Sequence, residues 1–159
     1  MLEKEFEGNF MSPAYRMPNQ AGKPGEAVKP GEAVKPEDTH PITALGVKSV
    51  IASPSDGASI KGRAVQVHGA AWAGEAEITH VEVSTDSGAT WNPAQLGKEQ
   101  ARYAWRLWSY AWKPAKSGDF VVISRATDSQ GRVQPASALW NPSGYLYNAV
   151  DQVKVHVAA

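Results

Sequence analysis

The stretch 103–112 constrains the fold of this chain most, because aromatic side chains fall on both of its faces. With a period of two residues, Tyr103, Trp105, Leu107, Ser109 and Ala111 share one face, and Ala104, Arg106, Trp108, Tyr110 and Trp112 share the other. A strand of an antiparallel sandwich is usually apolar on one face and polar on the other. One core can bury one face, so the second should meet another domain, another copy or a ligand.

The remainder of the chain after about residue 45 predicts an all-β fold. Short apolar and aromatic segments alternate with clusters of Gly, Pro, Asn, Asp and Ser. The predicted strands are 47–53, 63–72, 78–84, 91–96, 102–112, 120–128 and 150–157. About seven short strands without a helical pattern indicate an immunoglobulin-like β-sandwich. The predicted core comprises Val65, Val67, Val81, Val83, Val121, Ile123, Val153 and Val155, together with tryptophans.

Two segments of different character precede the predicted sandwich. Residues 1–19 hold an apolar and aromatic cluster interrupted by Pro13 and Pro18, and we predict an extended arm. Residues 20–44 contain the unit Pro-Gly-Glu-Ala-Val-Lys twice, at 24–29 and 30–35, which favours a mobile linker. The predicted organisation is therefore an arm (1–19), a linker (20–44) and an immunoglobulin-like domain (45–159).

Composition and charge exclude several classes of function. The net charge is zero, which gives no electrostatic basis for binding nucleic acid or an anionic membrane. The acidic, mixed N-terminus argues against a signal peptide, and no apolar run approaches the roughly 20 residues that span a bilayer. The chain has no cysteine and four scattered histidines. We therefore predict no metal site and no catalysis by this chain alone.

The segment 84–91, Ser-Thr-Asp-Ser-Gly-Ala-Thr-Trp, is typical of a tight hairpin. Its aspartate can accept hydrogen bonds from the turn, and its glycine can adopt a positive φ. We interpret it as a structural turn.

The tryptophans leave two functional hypotheses open. Aromatic rings facing solvent could stack on sugars, as in a carbohydrate-binding β-sandwich module. Equally, rings flanking Arg106 could form a protein–protein contact, in which Trp, Tyr and Arg are enriched. A third hypothesis, a plain immunoglobulin-like adhesin domain, explains neither aromatic face. The residues predicted for an interface are Trp105, Arg106, Trp108, Tyr110 and Trp112.

The order of several motifs resembles the C-terminal dimerisation domain of the sulfite oxidase family. These motifs are 47–51, 69–74, 81–91, 103–108, 125–135 and 140–148. The family comprises molybdenum-cofactor (molybdopterin) oxidoreductases, including plant nitrate reductase and bacterial sulfane dehydrogenase subunits. The resemblance implies an immunoglobulin-like domain that forms a homodimer and accompanies a molybdenum-cofactor domain. It also implies oxidation of sulfur compounds, and the periplasm for bacterial members.

The resemblance extends to candidate site residues. Segment 9–18 is similar to the end of the family's cofactor domain, so Tyr15 would stand where the family has an active-site tyrosine. In the Trp-Asn-x-x-Gly loop at 140–144, Ser143 replaces the arginine that contacts the anionic substrate in sulfite oxidases. Val150 and Asp151 replace a further Trp-His pair. These departures put sulfite itself in doubt and favour the sulfane dehydrogenase branch.

The cofactor itself is not expected on this chain. The family holds molybdenum through one cysteine of a preceding domain, and neither that cysteine nor that domain occurs in these 159 residues. The sequence therefore predicts a non-catalytic fragment, or one subunit of a split enzyme, whose partner carries the molybdenum and molybdopterin.

Overall fold

The computed structural model describes residues 8–9, 14–19, 36–62, 64–141 and 143–158. The chain divides into two compact units, one drawn from 1–44 and 138–147, the other from 45–137 and 148–159. No α-helix occurs in the part that the structure describes, and the strands form packed sheets, which confirms the predicted all-β fold.

The smaller unit contains a two-stranded antiparallel ribbon. Strand β1 (Arg16–Pro18) pairs with β2 (Thr39–Pro41), and a short 3-10 helix (Pro36–Asp38) leads into β2. The guanidinium of Arg16 donates from Nε to Thr39 Oγ1 at 2.6 Å. The linker prediction is therefore wrong for 36–41, which is ordered by pairing with the arm; 20–35 lies outside the described residues. The smaller unit also takes in 138–147, which we had assigned to the sandwich.

The larger unit is a sandwich of two sheets. Its strands are β3 (Lys48–Ser53), β4 (Ala58–Ile60), β5 (Val65–Trp72), β6 (Ile78–Ser84), β7 (Asn92–Pro93), β8 (Gln95–Leu96), β9 (Arg106–Trp112), β10 (Gly118–Asp128) and β11 (Gln152–Val157). One sheet has the order β4-β11-β10-β6-β7 and the other β3-β5-β9-β8. All pairings are antiparallel except that of β4 with β11.

The core lies between the inner faces of these sheets. Val67, Val83 and Val122 are fully buried, and each such side chain contributes roughly 1.5–3 kcal/mol on leaving water. Because successive side chains of a strand point to opposite faces, Val122 places its neighbours Val121 and Ile123 on the outer face. The prediction of Val121 in the core is therefore wrong, and Val121 is partly exposed. Ile123 is buried, but outside the central cluster.

The hairpin that follows β6 has the predicted turn chemistry. Asp86 Oδ1 accepts from the backbone N–H of Thr90 at 2.9 Å, and Asp86 Oδ2 accepts from the Thr90 hydroxyl at 2.6 Å. The Ser84 hydroxyl donates to Asp86 Oδ1 at 2.7 Å, and Gly88 has a φ of +92°. The carboxylate therefore organises the turn as an acceptor of several hydrogen bonds.

We expect the stability of this hairpin to depend on pH through Asp86. Hydrogen bonds from the side chain and backbone of Thr90, and from Ser84, lower the pKa of Asp86 from 3.8 to about 2. Because the pKa is lower in the folded state, the stabilisation is complete above 3.8 and is lost as the pH falls towards 2. NMR titration should report a midpoint near 2, and Thr90→Val should raise it towards 3.8. An unchanged midpoint in Thr90→Val would contradict this account.

Candidate interaction surface

Strand β9 holds three of the four aromatic residues that we predicted for an interface, and two of these three lie in the core. Trp108 and Trp112 are 3% and 5% exposed, and the Trp112 ring meets Phe120 edge-on with centroids 4.9 Å apart. Both rings face the inner side of the sandwich, where Trp108 pairs with Gly69 and Trp112 with Val65. The proposed interface must therefore be corrected, because these two rings are already covered by their own chain.

Arg106 and Tyr110 share that inward-facing register. The Arg106 guanidinium donates to the carbonyl oxygens of Gly97 at 3.3 Å and of Ile78 at 3.1 Å, which ties β9 to neighbouring segments. Tyr110 is partly buried and packs against the core. Their described contacts are within the chain, and a role in a subunit interface stays a prediction.

The alternate register of the same stretch faces solvent. Trp105 is 68% exposed and Leu107 is 56% exposed. Just before them, Tyr103 has a φ of +63° and carries the Arg102 guanidinium 4.7 Å from its ring centroid. Leu107 was absent from our predicted interface, although its spacing of two residues from Trp105 was the signal that could have found it.

A shallow groove of about 310 Å³ borders this exposed register. Its lining residues are His68, Gln95, Leu96, Gly97, Lys98, Leu107, Trp108 and Ser109. They come from β5, β9 and the segment that includes β8, so the edge of the four-stranded sheet forms the groove.

Tyr15 lies in the smaller unit and stacks on Tyr145. Their ring centroids are 5.2 Å apart, with an angle of 16° between the planes. Tyr15 has a φ of +51°, is 48% exposed, and accepts a backbone hydrogen bond from Ile42 at 2.9 Å. The ring therefore packs within its own unit and still presents half its surface. Its predicted place beside a metal centre stays a prediction.

Ser143 lies two residues before Tyr145, in an exposed turn. Buried Asn141 holds this turn: its Oδ1 accepts from the Tyr145 N–H at 2.9 Å, and its Nδ2 donates to the Tyr145 carbonyl at 2.8 Å. The smaller unit thus brings the Tyr15 ring and the Ser143 turn together through Tyr145. A substrate contact at Ser143 stays a prediction.

The residues present do not fit a molybdenum site of the kind that the resemblance implies. The whole chain has no cysteine to supply a thiolate. Across the described ranges, no group of three or more His, Cys, Asp or Glu side chains could hold a metal ion. Within the same ranges, no helix has the length and apolarity needed to cross a bilayer.

Comparison with known proteins adds a family assignment to this geometry. Residues 39–158 match the family model of the Mo-co oxidoreductase dimerisation domain. Mitochondrial sulfite oxidase of Mus musculus is 38% identical over 124 residues, covering 73% of this chain and 23% of that protein. The Homo sapiens enzyme is 37% identical over 125 residues, covering 74% and 23%.

A solved structure shows the same fold. The sulfane dehydrogenase SoxCD from Paracoccus pantotrophus superposes with a TM-score of 0.70 at 23% identity, over 94% of this chain and 36% of that one. The chain spans about a quarter of the length of the sulfite oxidases that it matches. The family match favours a dimerisation domain over the carbohydrate-binding alternative. On these grounds the chain belongs to the family of Mo-co oxidoreductase dimerisation domains.

Proposed function

We propose that this chain pairs with a second copy of itself and thereby dimerises a molybdenum-dependent oxidoreductase of sulfur compounds. The observation that carries the proposal is the family match over 39–158, since the family is described by its role in dimerisation. The named relatives support the chemistry, because one group comprises sulfite oxidases and a structural neighbour is a sulfane dehydrogenase.

The catalytic part of the assembly would be a molybdenum-cofactor domain, on the same or another polypeptide. The smaller unit is the natural contact for it, because Tyr15 and the Ser143 turn carry the resemblance to the family's site. Both retain exposed surface within this chain. We place the assembly in the periplasm, as the family resemblance implies for bacterial members, and cell fractionation tests that placement.

Sedimentation velocity of the chain tests self-association directly. We expect a dimer at micromolar protein, with a monomer appearing on dilution, because protein interfaces of standard size have dissociation constants of micromolar or below. A strict monomer at every concentration, both alone and in the presence of a cofactor domain, would contradict the proposal.

A further inference from the structure

The outer face of the four-stranded sheet is almost free of charge. By the registers of its strands, this face carries Lys48, Val50, Gln66, His68, Ala70, Trp72, Gln95, Leu107, Ser109 and Ala111. Lys48 is the charged residue among them, and its ammonium lies 3.5 Å from Asp151 Oδ2. In a sheet with one face exposed to water, the outward-facing residues of each strand are normally polar. The composition of this face is therefore unusual for a solvated surface.

The outer face of the five-stranded sheet has the composition expected in water. Arg125 Nε lies 2.8 Å from Glu82 Oε2, and the same guanidinium covers the Trp91 ring at 4.0 Å from its centroid. His156 Nδ1 lies 2.7 Å from Asp119 Oδ1 on the same face. The two faces of one sandwich therefore differ, and the four-stranded sheet presents the face that lacks a charged covering.

An apolar row crosses the centre of the nearly uncharged face. Val50 of β3 lies opposite Ala70 of β5, which lies opposite Leu107 of β9. Leu107 is 56% exposed, and Trp105, two residues earlier, is 68% exposed. Depletion of charge around exposed leucine and tryptophan characterises the centre of protein interfaces and is rare on surfaces that stay wet.

We propose that a second copy of this chain docks on the outer face of the four-stranded sheet, centred on Leu107. The inference rests on the proposed dimerisation and assigns it a surface. A two-fold interface uses the same patch on both subunits, so the patch must carry both a projection and a recess. Here Trp105 and Leu107 project from the surface, and the groove beside Leu107 provides the recess for the same side chains of the second copy. A strongly charged partner is a poorer fit, because Lys48 of this face lies beside Asp151 and the groove adds Lys98 as its charged lining residue.

Leu107→Glu tests this surface against Val133→Glu as a matched control. Val133 is also apolar and 50% exposed, but it pairs with Thr127 beside the five-stranded sheet. Each variant adds one carboxylate at an exposed apolar position. In a two-fold dimer, Leu107→Glu places two carboxylates in a dehydrated contact, so the dimer dissociation constant should rise at least about 100-fold. Val133→Glu should change it by less than about threefold.

The outcomes separate this inference from the proposed function. A wild-type dimer that Leu107→Glu dissociates and Val133→Glu does not supports the surface. A wild-type dimer equally stable in both variants overturns the surface and leaves the proposed function intact. A wild type that stays monomeric at every concentration, both alone and with a cofactor domain, removes the proposed function. Thermal unfolding of the variants establishes folding, and Leu107→Ala, expected to weaken the dimer about tenfold, replaces Leu107→Glu if the latter unfolds.

Because the chain has no cysteine, single-cysteine variants provide an independent measurement. The thiol of Leu107→Cys should react with a maleimide at least about tenfold more slowly above the dimer dissociation constant than below it, because docking covers the position. The thiol of Val133→Cys should react at one rate across that range. Equal protection at both positions, or protection at 133 alone, would overturn the inference.

Discussion

Replacing Gly69 with alanine should destabilise the sandwich by about 3 kcal/mol or more. Gly69 lies in the middle of β5 and faces inward opposite Trp108. A Cβ atom there would overlap the Val50 carbonyl oxygen and the Cζ2 and Cε2 atoms of the Trp108 ring. The Val50 carbonyl cannot withdraw without separating β3 from β5, and the Trp108 indole of β9 cannot withdraw without disturbing the core in which it is buried.

Urea denaturation of Gly69→Ala measures this loss, with Ser109→Thr as the control. Ser109 neighbours Trp108 on β9 but points to the opposite face and is partly exposed. Its substitution also adds one methyl group, in a place with room, so we expect a change within about 0.5 kcal/mol. A loss below about 1 kcal/mol in Gly69→Ala would show that the indole is free to move, contrary to its burial.

Local patterns were sufficient to predict most strands of the larger unit. Strand β6 has the predicted bounds, since a polar break ends its apolar alternation on each side. Strand β9 begins later than predicted, at Arg106, because Tyr103 adopts a φ of +63° that a strand does not accommodate. Strand β4 escaped notice because three residues are too short for a periodic pattern.

Facing directions were harder to predict than strand positions. In Val121-Val122-Ile123 all three residues are apolar, so alternation cannot identify the inward one. The pairing of β10 with β11 places Val122 opposite Val153, which fixes the inward face. The same ambiguity affected 103–112, where aromatic residues in both registers concealed that Trp108 and Trp112 form the core.

The candidate surface could not be predicted from any single segment of the sequence. Its apolar row joins Val50, Ala70 and Leu107 from three strands, and none of the three is unusual in its local sequence. For Tyr15 and Ser143, the resemblance supplied positions, and the structure added their common neighbour Tyr145. The register between strands therefore shows which residues lie side by side, which the local sequence does not show.

Substitution of Gln134 is the second change that we expect to lower the free energy of unfolding strongly, because its buried side chain joins the two sheets. Its Oε1 accepts from the backbone N–H groups of Ser49 at 2.8 Å and Ala126 at 3.3 Å. Its Nε2 donates to the carbonyl oxygens of Ser49 at 3.3 Å and Ala149 at 3.2 Å. One amide thus connects β3 of the four-stranded sheet to β10 of the other and to the segment before β11.

The turn before Gln134 explains how the amide is positioned. Asp128 Oδ1 accepts from the N–H groups of Gln130 at 2.9 Å and Arg132 at 3.0 Å, and Asp128 Oδ2 accepts from Arg132 Nε at 2.6 Å. Burial alone would raise the pKa of Asp128, but the bonds from Arg132 and Gln130 outweigh it and lower that pKa. The ordered turn returns the chain so that the Gln134 N–H donates to the Ala126 carbonyl at 2.8 Å.

We expect Gln134→Met to cost about 3–5 kcal/mol in the free energy of unfolding. Methionine nearly matches glutamine in volume, so packing changes little, but the backbone groups that bonded the amide lose that partner. Gln134 is 2% exposed, so water cannot replace the amide, and each buried unsatisfied group costs about 1–3 kcal/mol. Gln152→Met makes the same change on the exposed side of β11 and should stay within about 0.5 kcal/mol.

Gln134→Glu distinguishes a hydrogen-bonding role from simple filling of space. The carboxylate keeps the acceptors but loses the donors, and burial disfavours its charge, which raises its pKa above that of the unfolded chain. An acid whose pKa is higher in the folded state destabilises the fold when it is ionised. The loss in the free energy of unfolding is therefore greatest at neutral pH and shrinks as the pH falls and the carboxylate is protonated. Urea denaturation at several pH values should show this recovery relative to wild type. If Gln134→Met and Gln134→Glu were equally mild at pH 7, the amide would not be what joins the sheets.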